Sequence, residues 1–194
     1  RNSVPKQTIT MSGTFTVDLN GHQLFNDDFI GDDHFYALLI SESGTQTLID
    51  SKFSNNSNNS GFHGALCTQG GSVIAKSCYI MQTEISSGSF TGDNISVYRL
   101  GNSRNTVTVR DSVFGAAFNF GGTSYLINCY SPVTEIGGSM YIKGGTTVVS
   151  GTNSRYEDII RTFSGGLALK GGEFGRVGHV WMFANGGSVV IDDG

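Results

Sequence analysis

Hydrophobic and polar positions alternate along most of the chain with a period of two. Ser72-Val73-Ile74-Ala75 and Thr106-Val107-Thr108-Val109 are clear cases, and side chains that point alternately in and out require a strand. These runs lead into a recurring phrase: a small or aliphatic residue, a polar or glycine step, then an aromatic or aliphatic residue a few positions on. It reads Ile49-Asp50-Ser51-Lys52-Phe53, Ala75-Lys76-Ser77-Cys78-Tyr79, Val109-Arg110-Asp111-Ser112-Val113-Phe114, Ile127-Asn128-Cys129-Tyr130, Leu169-Lys170-Gly171-Gly172-Glu173-Phe174 and Ile191-Asp192-Asp193-Gly194. With Val149 as a weaker copy, the lead residues stand 26, 34, 18, 22, 20 and 22 positions apart. A period near twenty is that of a solenoid, in which one supersecondary unit stacks on the next.

Twenty residues make two or three short strands with their turns, which is one coil, and successive coils stack about 4.8 Å apart as parallel strands. The expectation is an all-β single domain over residues 1–194, with a lead-in at 1–13 and about seven coils over 14–194. By that rise the rod is on the order of 35 Å long. Thr14-Phe15-Thr16-Val17-Asp18-Leu19-Asn20-Gly21-His22 supplies the first rung, with Asn20-Gly21 as its turn. The start at Arg1 and the strand-like ending Ser188-Val189-Val190-Ile191 read as a piece cut from a longer solenoid.

Composition agrees with many tight turns and few solvated helices: 28 Gly, 2 Pro and 14 % charged residues, against about 25 % charged in typical globular domains. The one helical candidate is Ser154 to Phe163, where Ser154 and Glu157 have capping-box spacing. Another strand with a turn is the competing reading, because the period runs straight through it. The glycine pairs, such as Gly121-Gly122 and Gly144-Gly145, fall between strands and read as turn glycines. The polar residues after each lead, Asp50, Lys76, Arg110, Asn128, Ser150, Lys170 and Asp192, are mixed in sign and read as the solvent side of a turn.

A net charge of −4 with no basic run argues against a nucleic-acid surface, and no stretch approaches the roughly 20 apolar residues of a membrane helix. Cys78 and Cys129 sit in nearly matching places of their copies and read as small buried thiols in one core column, with Cys67 apart from them. No CxxC or His-Cys spacing suggests a metal, and no cofactor is expected. Nucleophile-elbow, phosphate-loop, dinucleotide and HExxH motifs are all missing from the sequence.

The Asp18-Leu19-Asn20-Gly21-His22 opening and the Cys/Tyr- or Phe-bearing coils resemble a right-handed, single-stranded parallel β-helix of the pectin-lyase-like kind. The resemblance covers residues 14 to 194 and is one of pattern, without a catalytic signature. Within that superfamily, the Gly/Ser/Thr/Asn-rich coils, low charge and irregular insertions resemble bacteriophage tailspikes and tail fibres. That resemblance implies a homotrimer on a virion tail that binds bacterial cell-surface polysaccharide and, in some cases, depolymerises it. Phe53-Ser54-Asn55-Asn56 and Gly61-Phe62-His63-Gly64-Ala65-Leu66 resemble the FxxN and GGA-type repeats of polymorphic outer-membrane proteins. The second reading is accordingly a non-enzymatic surface adhesin or structural solenoid, and a stand-alone polysaccharide lyase is the third.

Glycan cleavage needs a proton donor and a base or nucleophile at a set separation, so the search is for carboxylates outside the repeated positions. Asp32, Asp33, His34 and Tyr36 lie in one acidic, aromatic loop that suits sugar binding. Met81 to Arg104, read as the longest insertion, carries Glu84, Tyr98 and Arg99. Arg155-Tyr156-Glu157-Asp158 with Arg161 is the densest mixed-charge patch. Trp181, the one tryptophan, is a candidate sugar platform beside Glu173, Arg176 and His179. Glu157, Asp158 and Glu84 are the catalytic candidates; the aromatic, arginine and loop residues are the binding candidates. Surface ion networks, ordinary packing and tolerated loops account for the same residues without function.

Overall fold

The computed structural model describes residues 8–25, 37–54, 60–132, 140–157, 159–174, 182–184 and 186–192. The first coils hold β1 (Ile9–Ser12), β2 (Phe15–Asp18), β3 (Gln23–Phe25), β4 (Ala37–Ser43) and β5 (Thr45–Ile49). The middle is built from β6 (Gly61–Lys76), β7 (Tyr79–Asp93), β8 (Ser96–Asn102), β9 (Thr106–Arg110), β10 (Val113–Ile127) and β11 (Tyr130–Ser131). Then come β12 (Met140–Ser150), β13 (Arg155–Tyr156), β14 (Ile160–Thr162), β15 (Gly166–Lys170), β16 (Glu173–Phe174), β17 (Met182–Ala184) and β18 (Ser188–Ile191).

Every pairing is parallel, and the strands stack into three faces of a β-solenoid. The first face runs β1, β4, β6, β7, β8, β10, β12, β14, β17. The second runs β2, β5, β6, β7, β9, β10, β12, β15, β18. The third runs β3, β6, β7, β8, β10, β11, β13, β16. The long strands turn a corner without breaking, so one strand serves two or three faces. Gly121 and Gly122 thus lie inside β10, and Gly144 and Gly145 inside β12, at corners within continuous strands. The all-β expectation holds, and no helix occurs among the described residues. Ser154 to Phe163 contains β13 and β14, as the strand reading requires.

Alternation sets the core. On the second face, Leu48, Ala75, Val109, Leu126, Val149 and Leu169 are all 0–1 % exposed and stack in register. Burying one large aliphatic side chain of this kind contributes about 1.5–3 kcal/mol. On the third face the inward column includes Phe62, Ile80, Val97, Phe114 and Tyr156, with Tyr156 stacked on Phe174 at 5.6 Å.

Two features of the sequence period need correction. Leu48 pairs Ala75 and Leu126 pairs Val109, so the inward residues are Leu48 and Leu126; Ile49 and Ile127 share the next, outward column with Lys76 and Arg110. The 34-residue interval between Ala75 and Val109 is also no insertion. Gly92 stands in register with both, and Met81 to Arg104 forms regular strands of a further coil. The number of coils therefore differs slightly from seven. Glycine leaves room there for Ile95, since a Cβ on Gly92 would lie 2.4 Å from Ile95 Cδ1 and displace that side chain. Ile95 fills the space that an aliphatic residue fills in neighbouring coils.

The corners are held by two devices. Between the second and third faces, Ser77, Asn94, Asp111 and Asn128 take left-handed backbone at φ 43° to 52°, a conformation Asn and Asp tolerate because their short side chains bond locally. Asn94 Nδ2 donates to Ser77 Oγ at 3.1 Å and Asn128 Nδ2 to Asp111 Oδ1 at 3.2 Å, linking each corner to the one below. Between the first and second faces, buried Asn102 and Asn119 donate to backbone carbonyls of their own coil and the next. Cys78 and Cys129 are buried and all three cysteines are free; burial pushes the Cys78 and Cys129 thiols up to about 12.

Candidate functional site

The outward side of the first face carries the most distinctive chemistry. Register aligns Cys67, Glu84, Gly101, Phe118, Tyr141 and Arg161 in one column, one residue per coil. Beside it, Gln82 and Arg99 align, and Phe120 faces Gly144. At the coil of Gly101 the column has no side chain, and a Cβ there would lie 2.6 Å from Thr83 O. The gap opens a shallow groove of about 330 Å³ lined by Gln82, Thr83, Glu84, Arg99, Gly101, Ser103, Phe118, Phe120 and Lys143.

One wall is the coil of Glu84. The other is the coil of Phe118 and Phe120, whose rings are near parallel at 6.3 Å and 9°. Two coil steps of about 4.8 Å separate these walls, roughly 10 Å centre to centre. Arg99, on the coil between these walls, already lays its guanidinium over Phe118, so the open aromatic surface of the groove is that of Phe120. Phe120 is 48 % exposed, and Lys143 Nζ lies over it at 5.3 Å.

Phe118 belongs to a stack that runs along the rod. The Arg99 guanidinium lies 5.0 Å from its ring centroid, Tyr141 stacks on it at 4.9 Å and 6°, and the Arg161 guanidinium lies 5.6 Å from the Tyr141 ring. Parallel coils impose this arrangement, since residues in one column repeat at ring-stacking distance. Nearby, burial pushes the Cys67 thiol up to about 11, and Glu84 pushes it the same way. The thiol is therefore protonated and a poor nucleophile at neutral pH.

The sequence candidates separate into three groups. Glu84, Arg99 and Arg161 all lie on the first face, with Arg161 four coils from Glu84, and Tyr98, 42 % exposed, is the residue before Arg99 in β8. Arg155 and Glu157 lie at the third face: Arg155 Nη2 is 3.1 Å from Glu157 Oε1, and Arg155 Nε is 3.7 Å from Glu173 Oε2. The Arg155 guanidinium also covers Tyr130 at 5.9 Å. The Glu157 side chain is 3 % exposed, with Arg155 paired to its carboxylate. About four coil steps, roughly 19 Å along the axis, separate Glu84 from Glu157, too far for a carboxylate pair of roughly 5–9.5 Å. Asp32, Asp33, His34, Tyr36, Asp158 and Trp181 lie outside the described residues.

Sequence reading missed Phe118, Phe120 and Lys143. The available signal was inverted alternation: Phe118-Asn119-Phe120 turns its polar residue inward and both aromatics outward. No protein family, curated protein or solved structure matches this chain.

Proposed function

We propose that this chain is a bacteriophage tailspike- or tail-fibre-type β-helix that binds bacterial cell-surface polysaccharide along its first face, as a homotrimer on the virion tail. The groove at Gly101 is the observation that carries this reading. It has an exposed aromatic wall at Phe120 and offers charged and amide groups at Glu84, Arg99, Gln82 and Lys143. A rigid sheet with an apolar ring beside a few polar groups suits a sugar, which has apolar C–H faces and hydroxyl edges. A linear polymer crossing such a face would meet the same groove on each chain of an oligomer.

Binding without cleavage is the second reading, that of a surface adhesin or structural solenoid. One specific observation favours it: among the described residues lining the groove, Glu84 is the one carboxylate, whereas glycoside hydrolysis uses two. A panel of bacterial capsular and O-antigen polysaccharides, screened for binding and for viscosity loss, separates the readings. Phe120→Ala should weaken binding about tenfold, the loss of one stacking contact, with Tm nearly unchanged because the ring is half exposed. Sedimentation analysis of the same protein should give the mass of a trimer. A monomer that binds no polysaccharide of the panel would overturn the proposal.

A further inference from the structure

We infer that the ligand of the first face is an acidic polysaccharide, carrying carboxylates at intervals along the chain, in preference to a neutral one; this rests on the glycan-binding reading above. Aromatic rings are negative on their faces and positive at their edges. In the stack, both faces of Phe118 are covered, one by Arg99 and one by Tyr141, and Arg161 covers the far face of Tyr141. The negative faces are therefore satisfied internally by one another and by two guanidinium groups. What remains for solvent is the rim, made of positive ring edges and cations.

Charge count points the same way. The chain as a whole carries −4, yet among the described residues the groove lining holds two cations, Arg99 and Lys143, against the single carboxylate of Glu84. Arg161 adds a third cation in the same column, one coil beyond Tyr141. The cations recur in the coils of Arg99, of Lys143 and of Arg161, so they are spaced by about 10 Å and then about 5 Å along the axis. A free small carboxylate would meet one of them. A polymer with a carboxylate in each repeat meets several in succession, and the later contacts are intramolecular. Glu84 on the opposite wall repels the same charges, which orients the polymer with its acidic edge toward Lys143 and Arg161 and its hydroxyl edge toward Glu84.

The test uses the full chain and a panel of polysialic acid, hyaluronan and alginate, each beside its carboxyl-reduced neutral form, with dextran as a neutral polymer. Calorimetry at low and high salt reads the affinities. At least one acidic member should bind about tenfold or more tighter than its reduced form, and that gap should collapse at high salt. Lys143→Gln should cost an acidic polymer several-fold more than it costs that polymer's carboxyl-reduced form, and Arg161→Gln should behave alike. Equal affinity for acidic and reduced forms, or binding confined to neutral members, overturns the inference and leaves the glycan reading standing. Binding to no polysaccharide overturns both.

Discussion

Asn119 occupies an inward position that an apolar residue would normally take, and it is 3 % exposed. Its Nδ2 donates to Gly122 O, Thr146 O and Thr147 Oγ1 at 3.0–3.1 Å, while its Oδ1 accepts from Gly121 N and Gly122 N. One amide thus fixes a corner and joins it to the next coil. Asn119→Ala removes these bonds and leaves buried carbonyls without donors, so it should destabilise by about 3 kcal/mol, measured by denaturant unfolding. A change below about 1 kcal/mol would show that the corner holds without it. His63 is the residue whose titration should be felt. Its ring lies 5.0 Å from Tyr79, its Nε2 is buried without a partner, and burial lowers its pKa from the ordinary 6.5. Because the folded value lies below the unfolded one, the unfolded chain takes up the proton first. The stabilisation is present above pH 6.5 and is lost as pH falls through the folded value. Tm should decline over that window, and His63→Gln should flatten the decline; an unaltered pH profile in the variant would assign the effect elsewhere.

The pair Gly92 and Ile95 shows how one strand compensates for a missing side chain. Gly92→Val drives a new side chain into Ile95, costing about 1–3 kcal/mol as overpacking. Ile95→Ala opens a cavity at a side chain 1 % exposed and costs about 2–5 kcal/mol. The double variant should recover at least 1 kcal/mol relative to the sum, because the valine occupies the space the isoleucine leaves. Additive costs in a double-mutant cycle would mean that the two do not share that space. This pair also marks the limit of what the sequence made legible. Strands, parallel stacking and the shared column of Cys78 and Cys129 follow from alternation and period alone. The coil through Gly92 was hidden because a glycine stands where the period demands an aliphatic residue. Leu48-Ile49 and Leu126-Ile127 each offer two adjacent aliphatics, and only the pairing register decides which turns inward. The groove was less legible still: Glu84, Arg99 and Arg161 could be picked singly, but their alignment on the face that carries Phe118 depends on register across several coils.

A solenoid distributes stability by neighbours, since each coil touches only those above and below. Inner coils have two partners, and in the first and last described coils Ile9 at 41 %, Phe15 at 39 %, Val190 at 57 % and Ile191 at 62 % are the more exposed large apolar residues. The middle coils are also the most uniform. Ser72 and Ser89, Asn94 and Ser77, Ile95 and Ser112, and Asn128 and Asp111 each bond across a separation of 17 residues, so no inserted loop interrupts that block. Native-state hydrogen exchange should therefore be slowest for the amides of Val107, Val109 and Leu126 and faster at Val17 and Val190. The gap should be at least about 2 kcal/mol of opening free energy, roughly thirtyfold in rate. Uniform protection along the rod would instead mean that the solenoid opens as one unit. The groove spans the coils from Thr83 to Lys143, most of it on this regular block, so graded protection also bears on ligand recognition. A site on the slowest-exchanging coils is held in place before the ligand arrives, and binding then spends little free energy on ordering the protein.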